Sequence, residues 1–106
     1  MNFTVTSEIN NKVATLTLVG SLDSSSAFVF QEEIQKVAVQ SPVEMVLRVS
    51  ELSFMASAGL RMIVFAKQKL GSQVQIYMVS PQDQIIDTLQ MTGFIHSVHI
   101  VDKYPE

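Results

Sequence analysis

Residues 53–64, SFMASAGLRMIV, carry a serine at the joint between a strand exit and an amphipathic helix, with Ser57, Ala58 and Gly59 packed into the turn. Three chemistries are open to Ser57: capping the free N–H groups of the helix start, attacking a carbonyl as a nucleophile, or receiving a group from another protein. The nucleophile elbow G-x-S-x-G needs glycine on both sides of the serine, because its strained turn leaves no room for side chains. Met55 occupies the first of those positions. His96 and His99 come late in the chain, and three residues apart on an extended segment they point to opposite faces, so they do not act together. No histidine or carboxylate cluster shows metal-ligand spacing. The chain has no cysteine, which removes disulfides, thiolate metal sites and cysteine nucleophiles together. These residues predict no catalytic, metal or cofactor site.

The elements that must position Ser57 can be read from periodicity. Phe3, Val5 and then Val13, Leu16, Leu18 sit in β-favouring runs separated by Asn10-Asn11, which predicts an antiparallel hairpin. After VGSLDSSSA the period changes to helical, with Ala27, Phe30, Ile34, Val37 and Ala38 on one stripe and Ser24 to Ser26 as candidate N-caps. Pro42 closes that helical region, and EMVLRV reads as a central strand, apolar on both faces. The helix of the opening stretch runs to Gly71, VQIYMV forms the next strand, and Ser80-Pro81 supply a cap and first-turn proline for a helix carrying Ile85, Ile86 and Leu89. Gly93 is its expected C-cap, and SVHIV is the closing strand. The order β-β-α-β-α-β-α-β, without linkers or repeats, predicts one α/β domain over residues 1–106 with a mixed sheet.

Composition narrows the function classes. A chain of 106 residues with 47% hydrophobic and 16% charged residues supports one core. Seven basic against ten acidic residues give a net charge of −3, with no basic run to track a phosphate backbone, which argues against nucleic acid. No segment approaches the roughly 20 apolar residues of a membrane span, and the N-terminal stretch lacks the pattern of a secretion signal, so a cytoplasmic location is expected.

The helix after Ser57 carries a second clue. At helical spacing Leu60, Ile63, Val64 and Leu70 share one arc, whereas Arg61, Gln68 and Lys69 share another. Phe65 lies inside the polar arc and Met62 borders it. A large aromatic there either packs against a neighbouring helix or anchors a partner one to two turns from Ser57, with the adaptable methionine extending the patch.

The whole arrangement resembles the STAS domain of the anti-sigma factor antagonists. LSFMASAGLRMIV is similar to that family's signature, an apolar strand exit followed by Asp-Ser-Ser/Ala-Gly-Leu and an apolar helix, and Ser57 falls on the phosphorylated serine. LVGSLDSSSA matches the loop between the second strand and the first helix, where Asp23 falls on an acidic position near the phosphosite. LQMTGFIHSVHIV is similar to the last helix and strand. Ala56 stands where the family commonly has Asp, and Arg48 where it commonly has Asp or Asn.

The resemblance implies a non-enzymatic domain without a cofactor of its own. It would bind an ATP-binding anti-sigma factor serine kinase, be inactivated by phosphorylation of Ser57, and so regulate sigma-factor-dependent transcription, with a serine phosphatase as a further partner. With the arc reading of Met62 and Phe65 added, the expected partner surface comprises Asp23 and Ser24 on the loop with Ala56, Ala58, Gly59, Arg61, Met62 and Phe65 around the helix start. A phosphate there would add about −1.5 to −2 charges where free N–H groups favour an anion, and beside Asp23 would repel an acidic partner. Two other readings stand beside this one: an unphosphorylated STAS adaptor in a stress-signalling or lipid-transport complex, motivated by Ala56, and a small serine hydrolase.

Overall fold

A computed structural model describes residues 2–104. Eight regular elements follow the order expected: β1 (Phe3–Asn10), β2 (Val13–Leu22), α1 (Ala27–Ala38), β3 (Glu44–Met55), α2 (Ser57–Leu70), β4 (Gln75–Val79), α3 (Asp83–Thr92) and β5 (His99–Val101), with a 3-10 turn at Phe94–Ser97. The strands form one five-stranded sheet in the order β1-β2-β3-β4-β5, in which β1 is antiparallel to β2 and the later pairs are parallel.

Each parallel strand lies beside its predecessor, and right-handed crossovers in that order place all three helices on one face. A single core joins Phe30 and Ile34 of α1, Leu60 and Ile63 of α2, and Ile85 and Leu89 of α3 to Leu16, Leu47 and Met78 of the sheet. β3 is central, and Met45, Val46 and Leu47 are each fully buried, as its two-faced apolar run requires. Among the described residues the opposite sheet face carries no helix. The C-terminal segment crosses it instead: the Tyr104 hydroxyl donates to the Glu44 carboxylate, and its ring tilts against Tyr77, which stacks on His99.

Several local expectations are corrected. The hairpin turns on Asn11 and Lys12, not Asn10-Asn11; both have positive φ (51° and 66°), the backbone that a two-residue hairpin loop needs, while Asn10 pairs with Val13. Ser26 holds the N-cap position of α1 but makes no capping bond with its side chain. Ser80 does not cap α3; the cap position is Gln82, and Ser80 sits at φ 55° with its N–H bonded to the Val101 carbonyl at 2.8 Å and its hydroxyl to that of Asp102 at 2.9 Å. The closing strand is shorter than SVHIV, because the Phe94–Ser97 turn takes up Ser97 and Val98 caps that turn, leaving His99–Val101 in the sheet.

Candidate functional site

The joint between β3 and α2 is built on backbone. Ala56 is extended (φ −82°, ψ 171°) and holds the N-cap position, so Ser57 is the first helical residue, one place too late to be the cap expected of it. Alanine has no side-chain acceptor, and α2 starts with no side-chain cap. The Ala56 carbonyl takes the N–H groups of Gly59 and Leu60 at 3.0 and 3.2 Å, while its own N–H donates to the Leu22 carbonyl at 2.9 Å. This last bond ties the helix start to the end of β2. Ser57 is exposed, and its hydroxyl has no hydrogen-bond partner among the described residues.

Gly59 sets how closely the helix seats. A methyl group on it would lie 2.7 Å from Leu22 Cγ, 2.8 Å from Leu22 Cδ2 and 3.0 Å from Met55 Cγ, inside contact distance. Gly59 is therefore buried beneath the site and offers no surface to a partner, contrary to its place in the expected partner set. From the other side Gln84 of α3 accepts the Met55 N–H at 3.1 Å and donates to Thr88 at 3.1 Å, bracing the last residue of β3. Gln84 was not legible in the sequence, since an amide on a helix gives no sign of which backbone group it will meet.

The loop after β2 is organised by Asp23. Its Oδ1 accepts the N–H groups of Ser25 and Ser26 at 3.0 and 3.1 Å and their hydroxyls at 2.8 and 3.1 Å. The Ser26 hydroxyl also accepts the Asp23 N–H at 3.0 Å. These donors favour the ionised form, with the Ser25 hydroxyl first and that of Ser26 next, and hold the Asp23 carboxyl below its usual range. Asp23 thus orders the turn that leads into α1, and the helix itself starts without a side-chain cap, contrary to what Ser24 to Ser26 suggested. Ser24 itself is exposed at the tip. Gly20, in the same stretch, has φ +100°, and a Cβ there would fall 1.8 Å from the Asn2 carbonyl oxygen, so only glycine fits.

Ala56 and Ala58 are half-buried and Arg61 is exposed, so these flank Ser57 at the surface as expected. Met62 and Phe65 are half-buried and pack against the core. Phe65 thus has a packing role, with part of its ring left at the surface. Val64, assigned to the core arc, is instead 37% exposed, and Ala66 takes the buried place. Arg48 is not beside Ser57: β3 continues seven residues past it to Met55, roughly 20 Å at the usual strand rise. His96 lies on the 3-10 turn, not on a strand, and His99 Nε2 is 2.7 Å from the Gln75 side-chain oxygen. Neither histidine contacts the Ser57 hydroxyl, and among the described residues no His, Asp and Glu group has the makings of a metal site. Two surface hollows, lined by Ile100 to Lys103 and by Ser7 to Ile9 with Lys36, Val37 and Gln40, include no residue of the β3–α2 joint. No described helix is long and apolar enough to cross a membrane.

A mixed sheet with three helices on one face and an exposed serine opening the second helix defines an α/β domain whose candidate site is the surface at the β3–α2 joint. The chain belongs to the STAS domain family, whose model matches residues 4–106. It is 30% identical over 79 residues to the anti-sigma-F factor antagonist RsfB of Mycobacterium tuberculosis, a match covering 74% of this chain and 65% of that protein, just under two thirds of the relative's length. An anti-sigma factor antagonist from Mycobacterium paratuberculosis has a crystal structure that superposes with a TM-score of 0.84 at 20% identity, over 97% of this chain and 88% of that one. The anti-sigma factor antagonist SpoIIAA superposes in its unphosphorylated form with a TM-score of 0.73 at 16% identity, over 96% and 89% of the two chains. The phosphorylated form of SpoIIAA, from Bacillus, gives 0.68 at 17%, over 93% and 90%. At these identities the superpositions establish the shared fold.

Proposed function

We propose that this chain is an anti-sigma factor antagonist that binds an anti-sigma factor with serine-kinase activity and is switched off when that kinase phosphorylates Ser57. The observation that carries the reading is the state of Ser57: exposed, unbonded and first in α2. Its hydroxyl is free to attack the γ-phosphate of an ATP held by the partner, losing its proton as the Oγ–P bond forms and ADP leaves. Among the described residues no base touches it, which suits an acceptor and not a nucleophilic catalyst. The relatives support the reading by name: RsfB is called an anti-sigma-F factor antagonist, and SpoIIAA is known in a phosphorylated form. The partner surface comprises the Asp23–Ser24 loop and the exposed parts of Ala56, Ala58, Arg61, Met62 and Phe65, and a serine phosphatase resets it. The domain works in the cytoplasm and needs no cofactor.

Ala56 favours a second reading, an unphosphorylated STAS adaptor in a stress-signalling or lipid-transport assembly, because a kinase that selects an acidic residue before its serine would pass this site by. Affinity capture with the wild-type chain, Ser57→Ala and Ser57→Asp separates the two. A switch predicts that Ala binds as tightly as wild type and Asp at least tenfold more weakly. Equal binding by all three would favour the adaptor.

A further inference from the structure

We infer that Arg61 clamps the phosphate carried by Ser57, so that α2 itself holds the modified state. The inference rests on the proposal that Ser57 is phosphorylated. Ser57 and Arg61 stand four residues apart on α2, both exposed. Side chains at that spacing share a face, and helical side chains lean toward the N-terminus, so a guanidinium at 61 reaches back over the turn that begins at 57.

Arg61 is otherwise uncommitted. Among the described residues the one ion pair joins Lys36 to Glu33, and Arg61 enters no side-chain hydrogen bond. Its neighbours one turn away are Ser57, Ala58, Val64 and Phe65, and α2 contains no acidic residue to compete for it. Position 56 is alanine, so no carboxylate precedes the serine either. Across the joint, the Leu22–Ala56 bond brings the Asp23 loop close, and that carboxylate is engaged by Ser25 and Ser26. α1, which packs against α2, presents Glu32 and Glu33; Glu33 is bonded to Ser7 and Lys36. A planar guanidinium meets a phosphate through two parallel N–H···O bonds, which lysine does not reproduce. Neutralising one charge of the dianion leaves the modified surface less repulsive than a bare phosphate and makes Ser57 phosphate a poorer target for removal.

The test installs phosphoserine at position 57 during translation of the full chain and follows the 31P shift against pH. No kinase is involved, so failure here tells against the clamp, whereas failure of the phosphorylation proposal would appear as an unmodified wild type beside its active kinase. A cation paired with the dianion lowers the second phosphate pKa, ordinarily near 6. Arg61→Gln should raise it by about 0.3 unit, the worth of one pair at this helical spacing. Arg61→Lys should raise it by less, and Lys69→Gln, on the last turn, should leave it unchanged. Identical titration of wild type and Arg61→Gln overturns the clamp, as does an equal rise in Lys69→Gln, which would assign the effect to net charge.

Discussion

Gly59→Ala tests whether the seating of α2 depends on close approach. Two effects oppose each other. Alanine is a better helix former than glycine by about 0.5–1 kcal/mol, which alone would stabilise the domain. The added methyl, however, would sit 2.7 Å from Leu22 Cγ and 3.0 Å from Met55 Cγ. Leu22 Cγ is a branch point, not a mobile tip; Leu22 is fully buried, and its carbonyl is bonded to the Ala56 N–H. Relief therefore requires moving the helix start or the end of β2, and overpacking of this kind costs about 1–3 kcal/mol. The net expectation is a loss of about 1 kcal/mol, a fall in Tm of about 4–8 °C for a domain of this size. Urea unfolding followed by circular dichroism measures it, and partner capture should weaken in parallel because the Ser57 turn shifts against the Asp23 loop. A variant as stable as wild type, or more so, would refute the reasoning by showing that Leu22 yields without cost.

Asp23 separates charge from capping. Asp23→Asn keeps an oxygen to accept from Ser25 and Ser26 and should leave Tm nearly unchanged while weakening partner capture, whereas Asp23→Ala should also lower Tm by a few degrees, because the bonds that order the turn before α1 are lost. Because the folded carboxyl lies below its ordinary value of 3.8, its stabilisation is present above that value and lost as pH falls through the lower folded one; Asp23→Asn should flatten this acid limb in a pH series of melts. Tyr104 is the opposite case: the Glu44 carboxylate, chiefly by accepting its hydroxyl, raises its pKa from 10.0 to about 12. That favours the neutral phenol, so the contribution is present below pH 10.0 and lost as pH rises through about 12, and ultraviolet titration of Tyr104→Phe should lack the late ionisation.

Element order was legible because hydrophobic periods of two and of 3.6 alternate cleanly along the chain, and the central place of β3 because Met45, Val46 and Leu47 are apolar in succession. What the sequence hid were details decided by backbone angles and by tertiary contact. Ser57 and Ala56 differ by one place as candidates for the cap, and only the extended backbone of Ala56 decides between them. Asp23 reads as a surface acid until Ser25 and Ser26 turn back onto it. Val64 looks more core-like than Ala66 by hydrophobicity, yet Ala66 is fully buried and Val64 is not. Gln84 reaches a site 29 residues away in the chain, a pairing that no local pattern encodes.

The most direct measurement of the central claim is mass spectrometry of the wild-type chain incubated with ATP and the anti-sigma factor captured with it, run beside Ser57→Ala. The account predicts one added phosphate, located on Ser57, in the wild type and none in the variant. An unmodified wild type beside a partner that phosphorylates another substrate, or phosphate on both proteins, would contradict it.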